Sequence, residues 1–426
     1  MPPSASRTIR TTGPGRLLEV VTPAAADPAD REMLRSLLIL GGLLFVLTLA
    51  TYLATAHWTW PFPRDKTTLV IGRDFLNLWM FGRAAFGDDP TRFYDLVAYN
   101  HELAAMLGSD YPIQNWPNPP NALVVMAPFG LLDYFPALAA WAVLSALALD
   151  VACRDAFADR RALLLVAVSP AALMCLLSGQ SSFLTTAALF GSLALMDRRP
   201  ALAGLLIGLL TAKPQLGLLL PVMLVASGRW RVIAWSTLAT TALFGASVAI
   251  GGVQAWHDYV TKAAPMLSEV LRDPTGIAVP YHATLFMSFR GLLGDRAADA
   301  IQLIAAVAAV IGVFVVYRLR KDADPARLRA FLFASTICVS PYMGTYDVLP
   351  LTCAALALLA AGGLDDVGRR LVQLVFWLPA LQLLLGNVQL PGAGLIPPAF
   401  ALYLGWHLLA PARRTAQLDE PSIAAS

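Results

Sequence analysis

From Met33 to Ala56 the chain reads MLRSLLILGGLLFVLTLATYLATA, an apolar run with one charge near its start. About 20 helical residues cross the hydrocarbon core of a bilayer, so this run predicts a membrane-spanning helix. Further apolar runs follow at Ala122–Cys153, Ala162–Ser178, Ser181–Met196, Ala201–Ser227, Val232–Gly252, Ala300–Tyr317, Leu328–Val339, Val348–Ala361, Leu371–Gly386 and Leu395–Leu409. Backbone polar groups in lipid must be satisfied within each segment, which makes these runs helices. The expected fold is all-α and multi-pass, with about 10–13 transmembrane helices. The first run lies too far in, and is too long, for a cleaved leader, and no small-residue cleavage site follows it, so it reads as an anchor. Residues 1–32, rich in Ala, Pro, Ser and Thr, read as a disordered tail.

Composition agrees with the pattern. The 426 residues are 57% hydrophobic and 14% charged, with mean hydropathy +0.62, where soluble domains carry about a quarter charged residues. The net charge of +3 is spread through the loops, and no basic stripe for nucleic acid stands out. Cys153, Cys175, Cys338 and Cys353 sit singly in apolar segments, and the five histidines make no zinc motif, so neither a metal nor a cofactor is expected.

The charges do inform topology, because short basic loops mark the cytoplasmic side. Arg154–Arg161, Asp197–Pro200, Gly228–Arg231, Arg318–Arg329, Gly368–Arg370 and Ala412–Arg414 are such loops. Placing them inside, with the N-terminus, sends His57–Asn121, SGQSS (Ser178–Ser182), the AKPQ break, Gly251–Asp299, SPYMGTYD (Ser340–Asp347) and GNVQLPGAG to the outer face. That arrangement requires Ala201–Ser227 to be two short helices meeting at Lys213–Pro214. It also makes Ala122–Cys153 a single net crossing, an interfacial or half-inserted piece followed by one full helix.

The polar residues that interrupt apolar sequence now fall on one face, and such residues are functional hypotheses by default. In VIGRDFLNLWMFGRAAF (Val70–Phe86), Asp74 precedes an interfacial helix. It serves either as that helix's N-cap or as a general base at a cavity mouth. In SGQSS, a plain helix-hairpin turn explains the Gly and Ser, while Gln180 can donate and accept toward a sugar. In TAKPQ (Thr211–Gln215), Pro214 breaks a helix and Lys213 either snorkels or binds an anion such as a lipid phosphate. Tyr342, Tyr346 and Asp347 lie at another break, where Asp347 could also cap the next helix. His282 and Arg290 stand in the second large outer loop, as solvated residues or as ligands. Asn115 and Asn118, in the proline-stiffened DYPIQNWPNPP (Asp110–Pro120), are candidate pocket residues.

Taken in order, RDFLNLWMFGRAAFGDDPTRFYD, NPPNALVVMAPFGLLDYFPALAAW, SGQSSFLTTAAL, PALAGLLIGLLTAKPQLGLLLPV with GRWR, HATLFMSFRGLLG and SPYMGTYDVLPL resemble the GT-C glycosyltransferases of family 87. Where this chain has Asn-Pro-Pro at Asn118–Pro120, that family more often has Tyr-Pro-Pro. The resemblance implies a GT-C domain at 33–411 between the tail 1–32 and a cytoplasmic tail 412–426. A helical first external loop at 57–121 would carry the catalytic Asp74, with a second large external loop at 251–299. It implies inverting transfer of a sugar, typically mannose, from a polyprenyl-phosphate donor to a lipid or glycan acceptor. Asp74 would be the general base, and Arg73, Asn118, Gln180, Lys213, Gln215, His282, Arg290, Tyr342, Tyr346 and Asp347 would bind donor or acceptor. The expected location is the inner membrane of a bacterium, with the site facing outward. A transporter or flippase is the competing class, since broken helices with midplane polar residues also mark transporters.

Overall fold

The computed structural model describes residues 19–410 except 26, 158, 274–278, 389 and 391; these residues form helices and no β-strand. The outer parts of both tails, Ala412–Arg414 included, lie outside the described residues. Helix α1 (Pro28–Ala54) begins ahead of the apolar run, which corrects the expected tail at 1–32. Asp27 caps it by accepting from the Ala29 amide at 2.8 Å, and Pro28 sits at the first turn, where its missing N–H costs nothing. Asp27 and Asp30, on the first turn of α1, both reach the Arg369 guanidinium. Ahead of that cap, Arg161 donates to the Val20 carbonyl and the Ala24 amide donates to Asp159.

Helices α2 (Phe75–Ala84) and α3 (Leu96–Leu107) fill the segment 57–121, followed by α4 (Asn121–Gly130) and α5 (Tyr134–Cys153). At about 1.5 Å per residue α4 is only half a bilayer core in length, whereas the 20 residues of α5 span about 30 Å. The run Ala122–Cys153 is therefore a short helix followed by one long enough to cross. The run Ala162–Ser178 is not one helix, however. It splits into α6 (Ala162–Ala167) and α7 (Pro170–Ser178) because Ser169 caps the second piece and Pro170 cannot continue the first.

After α8 (Ser182–Leu195), α9 (Pro200–Leu209) ends in a 3-10 turn, and Lys213 adopts a non-helical conformation before the turn Pro214–Leu216 and α10 (Leu220–Ala226). Pro214 breaks the run as expected. Helix α11 (Trp230–Asp258) passes through a kink at Gly252 and a π-turn at Tyr259–Ala263 into the amphipathic α12 (Ala264–Arg272). The segment 251–299 thus begins inside a helix, and is itself mostly helical. Next come α13 (Leu285–Leu293), α14 (Asp295–Leu319), α15 (Pro325–Ile337), α16 (Leu349–Ala361), α17 (Asp366–Asn387) and α18 (Ile396–Leu409).

Among the described residues five helical stretches are long and apolar enough to cross a membrane: Pro28–Ala54, Tyr134–Ala156, Trp230–Arg272, Asp295–Leu319 and Asp366–Asn387. Shorter apolar helices pack between them. Helix α16 is apolar all round and buried along its length, as a central helix must be. Leu40, Leu43 and Leu47 of α1 and Leu303, Ile304 and Ile311 of α14 are instead exposed, forming apolar outer faces suited to lipid.

The two ends of the bundle differ. At one end the basic loops are tied together: Arg229 to Asp197, Arg327 to the Gly363 carbonyl, and Arg369 to α1. At the other end α5 begins against the turn before α2, Tyr134 donating to the Ile71 carbonyl at 2.8 Å. There α2 crosses α4 with no side chain between them. A Cβ on Gly82 would lie 2.3 Å from the Met126 carbonyl oxygen, and one on Gly130 would lie 2.2 Å from the Gly82 backbone.

Candidate active site

Four helix breaks meet at that second end. Asp74 precedes α2, Gln180 follows α7, Lys213 divides α9 from α10, and Asp347 precedes α16. The turn at Gln180 is pressed onto the turn at Asp74. Gly179 closes α7 in the left-handed conformation (φ 63°), and a Cβ there would lie 2.5 Å from the Phe75 Cβ. Trp141 holds this turn from α5 by donating to the Gly179 carbonyl at 3.1 Å.

Asp74 occupies the N-cap position of α2, yet its side chain makes no capping hydrogen bond. Its carboxylate instead accepts from Gln180 Nε2 at 2.8 Å, so the capping alternative fails. Gln180 Oε1 in turn accepts from Lys213 Nζ at 3.3 Å. Lys213 pairs with Asp347 Oδ1 at 2.6 Å and lies over the Tyr346 ring, 4.8 Å from its centroid. Asp347 also accepts from Ser182 Oγ at 3.2 Å and from the Gly344 amide at 3.2 Å. Burial pushes the Asp74 carboxyl above the ordinary carboxylate range, against the downward pull of the Gln180 hydrogen bond and of the Arg73 and Lys213 charges.

A polar cavity of about 140 Å³ opens beside this chain of contacts. Of the residues singled out from the sequence, Asp74, Asn115, Asn118, Gln180, Lys213, Gln215, Tyr342 and Tyr346 line it. Asp347 does not. It sits behind Lys213 with its oxygens occupied, holding the ammonium rather than facing a ligand. His282 is buried against the Tyr342 ring, and an isolated backbone bridge joins it and Ala283 to Met343–Gly344, so it supports the wall and does not line the cavity.

Two expected ligands lie elsewhere. Arg73 turns its guanidinium to the fully buried Asp65, at 2.6 Å, and is not a cavity residue. Arg290 donates to the Leu271, Arg272 and Asp273 carbonyls and pairs with Asp295 at 3.3 Å. It satisfies the open C-terminus of α12, where free carbonyls and the helix dipole attract a cation.

Asn77, Tyr259 and Leu267 also line the cavity, though sequence reading did not single them out. Asn77 is three residues after Asp74 on the same face of α2, so the spacing carried its signal. Tyr259 arrives through a π-turn, which leaves no pattern in the sequence. Among the described residues no three or more His, Cys, Asp or Glu side chains gather as metal ligands.

A family profile, glycosyltransferase family 87, matches residues 116–341, just over half of the chain. The chain belongs to that family. It is a membrane glycosyltransferase, and the transporter alternative is set aside. No curated protein and no solved structure matches the chain. The family 87 match holds Asn118, Gln180, Lys213 and Gln215, whereas Asp74 precedes it and Asp347 follows it. Folding is what joins those two carboxylates to the matched region.

Proposed function

We propose that this glycosyltransferase moves a sugar, mannose by family resemblance, from a polyprenyl-phosphate donor to the hydroxyl of a lipid or glycan acceptor. The donor class is carried by one observation. The polar cavity shares Leu78, Asn118 and Lys213 with an apolar chamber of about 820 Å³, open to the outside along Leu144, Leu147 and Val151, that runs along α4, α5, α8 and α9 to Asp155. Helix α8 alone, 14 residues long, gives this chamber about 21 Å of length. A ligand with a small polar head and a long apolar tail fits the pair, with its phosphate at the shared rim.

The residues then divide the work. An ammonium has three N–H donors; Lys213 commits two, to Asp347 and Gln180, and keeps one for the donor phosphate. That charge stabilises the departing phosphate, already a good leaving group, so no general acid is required. Asp74 takes the proton of the acceptor hydroxyl. Attack from the Asp74 side, opposite the phosphate, inverts the anomeric carbon. Asp347, neutralised by Lys213, is not a second catalytic carboxylate, which separates this site from the carboxylate pair of a hydrolase. We place this cavity on the outer face of a bacterial inner membrane, with the N-terminus inside; the basic loops at the opposite end of the bundle support that orientation.

Asp74→Asn keeps the size of the side chain and removes its basicity. Transfer from labelled polyprenyl-phosphate sugar in membranes should fall by at least about 100-fold with unchanged expression. Near-normal turnover would remove Asp74 from catalysis. The sign of the pH dependence also follows. A base must be ionised and this carboxyl titrates high, so transfer should be lost on acidification at a pH above the ordinary Asp value of about 3.9.

A further inference from the structure

The amide of Gln180 lies between two groups of opposite charge that serve different parts of the reaction. Its Nε2 can only donate, and it points at Asp74. Its Oε1 can only accept, and it faces Lys213. We infer that Gln180 is a positioning residue: its amide is a spacer that keeps the Asp74 carboxylate and the Lys213 ammonium from pairing directly. The inference rests on the reading of Asp74 as general base.

A carboxylate and an ammonium in a part-buried cavity attract strongly, because the surroundings screen them poorly. Without a spacer the ammonium would bridge Asp347 and Asp74, occupying the lone pairs that must receive the acceptor proton. It would also hold the base ionised but weak. With the spacer, Asp74 receives one neutral hydrogen bond and keeps an oxygen for substrate.

The spacer is held from its backbone. The Gln180 amide donates to the Cys175 carbonyl at 3.1 Å, and Cys175 Sγ donates back to the Gln180 carbonyl at 3.2 Å. Gly179 packs the turn directly on Phe75, so the Gln180 main chain and the start of α2 move as one.

The other charged and titratable groups around Asp74 do not substitute for Lys213 in this argument. Arg73 is bound to Asp65, and Asp347 is bound to Lys213. The remaining neighbours Tyr111, Tyr342 and Tyr346 are phenols whose burial pushes them above their ordinary range, so they stay neutral, and the Tyr134 hydroxyl is engaged with the Ile71 carbonyl. Lys213 is the cation that the amide restrains.

The test reads the protonation of Asp74 directly in the full-length protein in detergent. Dicyclohexylcarbodiimide modifies protonated carboxyl groups in apolar surroundings, and mass spectrometry gives the extent of modification at Asp74 against pH. Gln180→Met keeps the length of the side chain and removes the amide. The pH at which half of the Asp74 labelling is lost should fall by about 1–3 units in this variant, the usual effect of a direct ion pair. Gln180→Met combined with Lys213→Met should return that midpoint to the wild-type value or above it, and the acid limb of transfer should move with it. Gln180→Leu provides a second, shorter truncation if the first does not fold.

A midpoint that does not move in a folded Gln180 variant overturns the inference, as does a downward shift that survives loss of Lys213. Lower transfer at every pH with an unmoved midpoint would make Gln180 merely structural, which also overturns it. Failure of the parent reading looks different: full transfer by Asp74→Asn, while the labelling midpoints still report the Asp74–Lys213 relation.

Discussion

Two clusters of charge lie at opposite ends of the bundle and use much the same chemistry. At the end of the basic loops, Arg369 is surrounded by Asp27, Asp30 at 2.7 Å and Asp366 at 3.0 Å. At the other end Lys213 has Asp347 at 2.6 Å, an amide and an aromatic face. The guanidinium presents a planar fork, and each of its three nitrogens donates to a different carboxylate. The ammonium keeps a donor unspent and borders a cavity. A cation wrapped by three carboxylates closes a structure, and one with a single carboxylate beside a cavity is available for a ligand. Counting buried ion pairs would not have told the two apart.

Substitutions can break that distinction. The largest effect should come from Asp74→Asn, the loss of at least about 100-fold already described. Lys213→Met should follow, slowing transfer or weakening donor binding by roughly 10- to 150-fold, the worth of a charge-assisted contact of about 1.5–3 kcal/mol. Lys213→Arg should retain part of the activity, because arginine also pairs with phosphate though its shape differs. Donor titrations separate these outcomes, and an unchanged Met variant would make Lys213 another closed cluster.

A smaller effect is expected in the apolar chamber. Gly191→Leu narrows it beside Leu206 and should raise KM for a long-chain donor by about tenfold, the worth of one or two displaced methylene contacts. KM for a short-chain analogue should stay unchanged. An equal effect on both donors would place the tail elsewhere. The smallest effect on catalysis belongs to Arg369→Met. It should lower the thermal midpoint of the protein, since Asp30 is left buried without its cation. Turnover per folded molecule should remain at the wild-type value. A kinetic defect there would end the contrast between the two clusters.

Much of the architecture could be read from single residues. Pro214 marked the break at Lys213, and the apolar runs located the helices. The division at Ser169–Pro170 was missed because a Ser-Pro pair inside a long apolar run changes hydropathy very little. The site was legible only as parts. Asp74 and Gln180 are 106 positions apart, and no local pattern announces a hydrogen bond at that distance. Arg290 was misassigned for a related reason. An arginine after an apolar face looks the same whether it awaits a phosphate or closes another helix, and only the position of α12 decides.

The bare contact of α2 with α4 carries a kinematic consequence. With Gly82 and Gly130 touching through their backbones, neither helix can slide or rotate without the other. Asp74 at the head of α2 and Asn118 just ahead of α4 therefore share one continuous wall of the cavity. Tyr259, in its π-turn, and Leu267, on a short amphipathic helix, complete the lining, and the Tyr259 ring rests against Tyr94, which donates to the Asn118 carbonyl.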